Sequence, residues 1–334
     1  MSITAKKLAE KLGVSPAAVS MALNNKPGVS QNTRKLILDA AEKEGYDFYR
    51  ISSKSSIPGT INFVLFKKHG NIVSYAPFFS QVSEGISERC KEMGYKLNLH
   101  YVWDDDTLKK EIENIQYSDC CGMILLGTEM HAEDFRPFQS LPIPIVLLDV
   151  YFETIQANYV LINNVQGAFA ATTYLFKRTQ QQPGYLQSSY PIINFKERSL
   201  GFYHAIRSCG LSSSGSVIHK LSASTEGAFL DMIKIIEQEK PLAKCYFADC
   251  DALAIGAMQA LKAKGYRIPE DIAIIGFDNI EYSNVVEPSL TTIHVPKKEM
   301  GQIALDRLIE LIKNPRSAPV KIEVSTHLLK RRST

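Results

Sequence analysis

From residue 60 onward, short apolar runs alternate with amphipathic stretches of helical period. The runs include INFVLF at 61–66, GMILL at 122–126 and DIAIIGF at 271–277, and stretches such as 78–93 and 251–264 lie between them. Strands of this kind, separated by helices, form parallel sheets that are covered on both faces. The number of strand–helix units predicts an α/β body made of two doubly wound lobes.

The first 50 residues follow a different pattern, with two short helices and a tight turn. Thr4 can cap a helix that runs to Leu12, and Gly13 permits the backbone to reverse. Ser15 is a suitable N-cap for the next helix, and Pro16 stands at its first position, where the missing N–H has no cost. This arrangement predicts a helix-turn-helix.

A third helix completes the predicted all-α head. Ser30 or Asn32 can cap it, and Gly45 ends it. Val14 and Val19 are spaced as a hydrophobic staple at the start of the second helix. The residues expected to face the core are Val19 and Leu23 of the second helix, and Leu36, Ile37, Ala40 and Ala41 of the third.

The outward face of the second helix carries small, uncharged side chains. In the major groove only thymine presents a methyl group, so Ala17 and Met21 can favour A·T pairs without donating a hydrogen bond. Polar side chains and lysines nearby can hold phosphates. The predicted DNA contacts are Thr4, Ser15, Pro16, Ala17, Ala18, Ser20, Met21, Asn24, Asn25 and Lys26.

Charge is distributed unevenly along the chain. Residues 1–56 contain nine Lys and Arg and five Asp and Glu, a net charge of +4, whereas the whole chain has +3. A basic head on a nearly neutral body indicates that the head meets a polyanion. Spacing alone leaves open a helical hairpin that contacts protein.

Longer motifs in the head give a more specific indication. VSPAAVSMALN at 14–24, KPGVS at 26–30 and AAEKEGY at 40–46 resemble the DNA-binding head of the lactose-repressor/galactose-repressor (LacI/GalR) family of bacterial transcription regulators. The resemblance implies that Pro16, Ala17 and Met21 face base edges. It also implies double-stranded DNA, in the form of a palindromic operator, as a partner.

Residues 51–60 read as a polar, serine-rich linker between head and body. In the resembled family this stretch forms a hinge helix, and a leucine from each of two subunits enters the minor groove. Ser55 stands at that position here. Either Ile51 or Ile57 takes the role of the wedge, or the protein bends DNA less, or the segment is a flexible tether.

The resemblance extends over the body, and it implies two lobes joined by three chain crossings near 161–163, 290–293 and 322–326. The family's effector-binding domain is similar to NFKERSLGFYHAI at 194–206 and to the segment 251–283. The predicted organisation is a head at 1–50, a linker at 51–60 and a body at 61–334, with an N-lobe of about 61–161 and 293–322 and a C-lobe of about 163–290 and 326–334.

An effector is expected in the cleft between the lobes, at the carboxyl ends of the strands. Arg198 and Asp278 can hold hydroxyl groups by charge-assisted hydrogen bonds, with a surface ion pair and a turn cap as the plain alternatives. Cys250 stands where the family often has asparagine, and Asn163 where it has aspartate. The predicted effector-binding residues are Phe78, Phe79, Thr128, Asp149, Arg198, Cys250 and Asp278.

Competing chemistry finds little support in the sequence. Phosphate-binding, zinc-protease and serine-hydrolase motifs do not occur, so we expect no enzyme activity, no cofactor and no metal. Asp104, Asp105 and Asp106 alternate in direction and are expected in a solvated loop. The six cysteines lack metal-site spacing. No signal peptide or membrane-spanning run is evident, which favours a cytoplasmic protein.

The sequence therefore predicts a homodimeric transcriptional regulator that acts as a repressor and is controlled by a small-molecule effector. The chain ends without a heptad pattern, which argues against a tetramer formed by a tail. A carbohydrate is the first expectation for the effector, and a nucleobase or nucleoside the second. The alternative function is a cytoplasmic small-molecule-binding protein whose head contacts protein. An enzyme of sugar metabolism would need residues that the sequence lacks.

Overall fold

The computed structural model describes residues 4–23, 28–46, 59–70, 72 and 78–334, and the following account concerns these residues. Three predicted DNA contacts (Asn24, Asn25 and Lys26) and the three predicted hinge residues (Ile51, Ser55 and Ile57) lie outside the described residues. Among the described residues, no helix has the length and apolar character needed to cross a membrane.

The head consists of three helices: α1 (Ala5–Leu12), α2 (Pro16–Leu23) and α3 (Gln31–Lys43). The predicted caps are present, since the hydroxyls of Thr4, Ser15 and Ser30 accept hydrogen bonds from backbone N–H groups at 3.4, 3.0 and 3.1 Å. Gly13 ends α1 with φ at 65°, a conformation that favours glycine. The fully or nearly fully buried core consists of Leu8, Ala9, Val19, Ala22, Ile37 and Ala41.

One predicted core residue of the head is on the surface. Leu36 is 54% exposed, and the prediction that it faces inward was wrong. Ile37 and Ala41, which are one turn apart, define the buried face of α3, and Leu36 is rotated about 100° away from Ile37. Leu23 is only half-buried.

The first lobe contains a six-stranded sheet in which all strands are parallel. Its spatial order is β11-β5-β4-β3-β1-β2. The strands are β1 (Thr60–Lys67), β2 (Lys96–Trp103), β3 (Cys120–Leu126), β4 (Ile145–Leu148), β5 (Asn158–Ile162) and β11 (Lys321–Val324). Its helices are α4 (Phe78–Met93), α5 (Leu108–Gln116), α6 (Arg136–Gln139) and α12 (Lys297–Lys313).

The second lobe repeats this plan with the order β12-β10-β9-β8-β6-β7, in which only β12 is antiparallel to its neighbour among the described strands. The strands are β6 (Gly184–Ser188), β7 (Ile218–Leu221), β8 (Cys245–Ala248), β9 (Ala273–Asp278), β10 (Thr291–His294) and β12 (His327–Leu329). The helices are α7 (Asn164–Thr179), α8 (Ile193–Ser208), α9 (Thr225–Glu237), α10 (Asp251–Ala263) and α11 (Tyr282–Val285).

The chain crosses between the lobes three times. It leaves the first sheet after β5 and enters α7 at Asn164, and it returns from β10 to α12 across residues 295–296. The second crossing therefore lies a few residues later than the predicted 290–293, because β10 pairs with β9 in the second sheet through His294. The third crossing joins β11 to β12 at residues 325–326.

Helix α12 packs closely on α4 and fixes the first lobe near the cleft. A Cβ atom at Gly85 would lie 2.0 Å from the carbonyl oxygen of Lys298, and one at Gly301 would lie 2.3 Å from that of Val82. Only glycine permits the two backbones to approach so closely. This contact positions the start of α4, where Phe78 and Phe79 border the cleft.

Candidate DNA-reading surface and effector cleft

The exposed face of α2 is small and uncharged. Pro16, Ala17 and Ser20 are exposed, whereas Ala18 and Met21 are half-buried. The partial burial of Met21 has a local cause, since its sulfur atom would lie 2.9 Å from a Cβ placed on Gly28, in the turn before α3. Pro16, Ala17 and Ser20 thus form the exposed part of the predicted reading face, and the Met21 side chain lies partly against the turn at Gly28.

Helix α3 supports the end of α2 through a residue that the sequence analysis did not single out. The Arg34 guanidinium lies 3.5 and 3.4 Å from the carbonyl oxygens of Met21 and Ala22. These are among the last carbonyl groups of α2, which have no partner within the helix and carry its negative dipole end. A basic residue four positions after the Ser30 cap was the available signal.

A cavity of about 730 Å³ lies between the two lobes, at the carboxyl ends of the strands. Its volume is within the usual range for small-molecule sites. All seven predicted effector-binding residues line it: Phe78, Phe79, Thr128 and Asp149 from the first lobe, and Arg198, Cys250 and Asp278 from the second. The structure thus brings together residues that are up to 200 positions apart in the sequence.

Asp149 follows β4 and is held by both lobes. Its carboxylate accepts hydrogen bonds from the Thr128 hydroxyl at 2.6 Å and from the side-chain amide of Asn194, on α8, at 2.9 Å. Its φ of 61° is unusual for a residue with a side chain. Burial raises the pKa of Asp149 to about 7, although these hydrogen bonds oppose the shift.

Arg198 is the cation at the centre of the cleft, and it is 3% exposed. Its Nε donates to the Asn164 side chain at 2.9 Å, and Nη1 donates to the carbonyl oxygen of Asp249. Nη2 lies 3.1 Å from Oδ1 of Asp278. The guanidinium carbon lies 3.8 Å from the centre of the Phe277 ring. The side chain is therefore held in one orientation.

Asp278 ends β9 with a φ of 108°, which indicates local strain at the site. Its Oδ1 is buried and lies 3.1 Å from Nη2 of Arg198, so the two side chains form a buried ion pair. Burial raises the pKa of Asp278, whereas Arg198 and Lys297 lower it. The Asp278 side chain is 15% exposed and borders the cavity.

Two further buried carboxylates stand behind this pair. Asp249 accepts hydrogen bonds from the backbone N–H of Ser188 at 2.6 Å and from the Tyr185 hydroxyl, and burial raises its pKa to about 7. Asp251 is the first residue of α10, and its carboxylate accepts a hydrogen bond from the Thr292 hydroxyl at 2.5 Å. Burial raises its pKa to about 8.

Phe78 and Phe79 are core residues that lie at the wall of the cavity. They are 5% and 6% exposed. Their ring centres are 5.2 Å apart in an edge-to-face arrangement. Cys250 lines the cavity as well, and burial raises the pKa of its thiol well above the usual range, so it stays protonated.

At the mouth of the cleft, Glu129 makes contacts that the sequence analysis did not predict. The Glu129 carboxylate accepts four backbone hydrogen bonds, at 2.8 to 3.2 Å, from Lys68, His69, Gly70 and Ile72. It thereby fixes the loop after β1. The His69 ring on this loop lies 3.8 Å from the ring of Tyr190 in the second lobe. The two lobes thus touch at the rim of the cavity.

Two family models match the chain. The model of bacterial regulatory proteins of the lacI family matches residues 4–47, and that of a periplasmic binding protein-like domain matches residues 192–334. The HTH-type transcriptional repressors PurR of Actinobacillus pleuropneumoniae serotype 3 and of Mannheimia succiniciproducens are 29% and 28% identical to it over 335 residues. Each alignment covers 99% of this chain and 98% of the relative.

The chain belongs to the LacI/GalR family of bacterial transcription regulators. It is accordingly a DNA-binding regulator controlled by an effector, and the alternative in which the head contacts only protein is set aside.

Several solved structures have the same architecture as this LacI/GalR regulator. The complex of the transcriptional regulator CelR with cellobiose has a TM-score of 0.74 and 22% identity, and covers 99% of this chain and 100% of its own. The Lac repressor dimer bound to operator and the anti-inducer ONPF has a TM-score of 0.72 and 21% identity, and covers 100% and 99%. A LacI-family regulator from Enterococcus faecium with bound ribose has a TM-score of 0.71 and 23% identity, and covers 82% and 98%.

Proposed function

We propose that this regulator is a cytoplasmic, homodimeric repressor without enzymatic activity, which binds a palindromic operator and responds to a neutral, polyhydroxylated effector, most simply a carbohydrate. The observation that carries the effector proposal is the Arg198–Asp278 pair, which lies with Asp149 at the wall of a cavity of about 730 Å³. Carboxylates and a guanidinium arranged in this way bind hydroxyl groups, which both donate and accept hydrogen bonds.

The charges around the cavity argue against a phosphorylated effector. Among the described residues that line it, Asp149, Glu226 and Asp278 are acidic and Arg198 is basic. Arg198 already contacts Asn164, Asp249 and Asp278. A phosphate group would therefore meet an excess of carboxylates, and like charges in a site of low dielectric repel strongly.

The remaining lining residues suit a ring with polar edges. Hydroxyl and amide groups of Ser189, Asn194 and Thr225 face the cavity together with the aromatic rings of Phe195 and Tyr282. Aromatic rings can cover the apolar face of a sugar. Structural relatives bind such molecules, namely cellobiose in CelR and ribose in the Enterococcus faecium regulator.

A nucleobase or nucleoside is the second candidate for the effector. The same aromatic rings can stack on a base, and the Asn194 amide with the Asp278 carboxylate offers donors and acceptors for its edge. A free nucleobase differs from a sugar in a measurable way, because it lacks the hydroxyl groups that the charged pair would bind.

Exposed apolar side chains on the first lobe support dimerisation. Leu99, Tyr101 and Trp103 are 48%, 54% and 41% exposed, and they alternate along β2, the edge strand of the described sheet. Residues at this spacing lie on one face of a strand. A continuous exposed apolar face marks an interaction surface, and a second copy of the chain is the partner that a palindromic operator requires.

The second lobe also has exposed apolar side chains. Leu230 on α9 and Tyr282 and Val285 on α11 are 50%, 50% and 68% exposed. We assign both groups to the dimer interface, so that the lobes of two subunits meet side by side and the two heads lie at the same end of the dimer. Replacing Tyr101 and Val285 by Lys would then yield monomers in analytical ultracentrifugation.

A thermal-shift screen of the full chain tests the effector proposal. The panel consists of matched pairs, each a neutral sugar and its phosphate ester, together with purine bases and nucleosides. We expect stabilisation by a neutral sugar, no stabilisation by its phosphate ester, and loss of the shift in Asp278→Asn. Asp271→Asn, which changes a surface carboxylate outside the cavity, serves as the control and keeps the shift.

The screen also has outcomes that contradict the proposal. Stabilisation by a phosphate ester but not by its neutral partner would refute the charge argument. A base or nucleoside that stabilises the wild type, but not Asp278→Asn, would select the second candidate. A ligand that stabilises Asp278→Asn as well as the wild type would show that this carboxylate does not bind it.

A further inference from the structure

The outer face of α3 contacts the first lobe of the body. Lys35, Asp39 and Glu42 recur at i, i+4 and i+7, so they share one side of the helix, opposite Ile37 and Ala41 in the head core. In the structure this side lies against Tyr117 and Gln116, at the end of α5 in the first lobe. The head is therefore in direct contact with the body.

Tyr117 is the centre of this contact. Its hydroxyl donates a hydrogen bond to Oδ1 of Asp39 at 2.7 Å, and the Lys35 ammonium lies 5.5 Å from the centre of its ring. Gln116 Nε2 adds a longer hydrogen bond to Glu42 at 3.4 Å. The hydrogen bond to the Asp39 carboxylate raises the pKa of Tyr117 to about 12. A bond to a charged acceptor is stronger than one between neutral groups.

Tyr117 lies near the amino-terminal ends of β1 and β3, where the chain enters the body from the head. It directly follows α5, and three residues later β3 begins beside Thr60, the first residue of β1. The Thr60 hydroxyl lies 3.4 Å from the Asp119 carboxylate in the same turn. A displacement of the first lobe therefore moves Tyr117 together with the start of β1.

The contact continues from α3 to the DNA-reading helix. Arg34 lies on α3 next to Lys35, and its guanidinium is close to the carbonyl oxygens of Met21 and Ala22 at the end of α2. With the contact formed, Pro16, Ala17 and Ser20 are still exposed. The docked head thus keeps these three side chains of α2 accessible.

We propose that Tyr117 is a positioning residue for DNA recognition: it docks the outer face of α3 on the first lobe and so fixes the direction in which α2 points. In the homodimer proposed above, two docked heads hold their reading helices at one separation. The dock then sets which half-site spacing the regulator prefers, and lobe movement on effector binding reaches the head through Tyr117 as well as through the linker.

Hydrogen exchange of the full chain without DNA tests the dock itself. Tyr117→Phe removes only the hydroxyl, and Tyr117→Ala removes both the hydrogen bond to Asp39 and the ring that Lys35 contacts. We expect amide exchange in residues 31–43 to become about three- to tenfold faster in Tyr117→Ala, with a smaller change in Tyr117→Phe. Tyr203→Phe, on α8 of the second lobe, is the matched control and leaves exchange in the head unchanged.

Half-site spacing tests the positioning role, which a merely structural residue would not affect. The probe is the palindromic duplex that the wild-type full chain selects from a random-sequence library, with one base pair inserted at its centre. The insertion moves one half-site by about 3.4 Å and rotates it by about 35°. We expect a loss of affinity of at least about tenfold for the wild type and less than about threefold for Tyr117→Ala.

Two results would overturn the proposal. Equal exchange in residues 31–43 of the wild type and Tyr117→Ala would show that the dock does not form in solution. Equal sensitivity of the two proteins to the inserted base pair, including none in either, would show that the dock does not set the spacing. The exchange result depends neither on the effector nor on dimerisation, so it stands apart from the proposed function, whereas the spacing result rests on the proposed dimer.

Discussion

The reading surface of the head is built from small, exposed, uncharged side chains, whereas the wall of the cleft is built from buried charges. Pro16, Ala17 and Ser20 face outward over a core of six buried residues, four of which are alanine or valine. Arg198 and Asp278 instead lie between two lobes, each of which contains a large cluster of buried hydrophobic residues.

This difference separates two ways in which a substitution can act. In the head, stability rests on a few apolar contacts, while the reading residues have little structural role and can change without unfolding it. In the cleft, the residues that bind the effector also neutralise one another, so a single change alters both binding and stability. The following predictions test this contrast, beginning with the largest expected effect.

Arg198→Met is expected to destabilise the body most strongly. It leaves Asp278 without its ion-pair partner, and the carbonyl oxygen of Asp249 without its donor. Breaking a buried pair by removing one partner costs about 3–5 kcal/mol. Denaturant unfolding measures the effect, and Arg207→Met, on the exposed side of the same helix, is the control. If the two variants are equally stable, the buried charges of the cleft do not depend on Arg198.

Ile37→Ala is expected to abolish DNA binding by unfolding the head. Ile37 is fully buried, and its truncation costs about 2–5 kcal/mol, which is comparable to the whole stability of so small a domain. Leu36→Ala is the control, because Leu36 is 54% exposed. Fluorescence anisotropy with a DNA duplex measures the difference. Equal loss in both variants would contradict the observed orientation of α3.

Ala17→Gln is expected to change which sequence the head prefers while the head stays folded. Glutamine can form two hydrogen bonds with adenine, and such a contact discriminates between bases by about 1–3 kcal/mol. Selection from a random-sequence library would report a new preferred base pair in each half-site. Unchanged selection by the variant would show that Ala17 does not face a base edge.

Asp149→Asn is expected to flatten the dependence of stability on pH. Burial raises the pKa of Asp149 from 3.8 to about 7, so the folded chain binds a proton that the unfolded chain releases above about pH 4. Stability therefore falls as pH rises from about 4 to about 7, and the variant lacks up to about 1.4 kcal/mol per pH unit of this slope.

Asp271 provides the opposite case as a control. It is only half-buried, at the surface, and its hydrogen bonds with Arg267 lower its pKa to about 2. The stability that it contributes is present above about pH 4 and is lost only as pH falls toward 2. Asp271→Asn should therefore leave the slope between pH 5 and 8 unchanged. A slope in Asp149→Asn that equals that of the wild type would show that other groups take up the proton.

The sequence predicted the parts of the fold that depend on local pattern. The caps at Thr4, Ser15 and Ser30 and the helix at 78–93 follow from residue type and periodicity, and the structure contains them. The failure at Leu36 has a non-local cause. An apolar residue next to Ile37 fits the same window of the sequence, and only packing against α1 and α2 decides which of the two is buried.

The partners of the cleft could not be derived in this way. The family resemblance indicated Arg198 and Asp278, and the position at a strand end indicated Asp149. Asn194 opens the quoted motif NFKERSLGFYHAI but was not singled out, and Asp249 belongs to no motif that the sequence analysis used. Their roles arise because the second lobe brings the ends of several strands together with α8 beside Asp149. The contact between Tyr117 and Asp39 is of the same kind, since the two residues belong to different domains.

The central claim is that an effector in the cleft changes how tightly the head binds DNA, and operator affinity measured with and without effector tests it most directly. The experiment uses the selected operator and the sugar that stabilises the full chain, at constant salt concentration. The account predicts a change of about 5- to 150-fold in the wild type, and none in Asp278→Asn at the same sugar concentration. An operator affinity of the wild type that does not change when the sugar saturates the chain would contradict it.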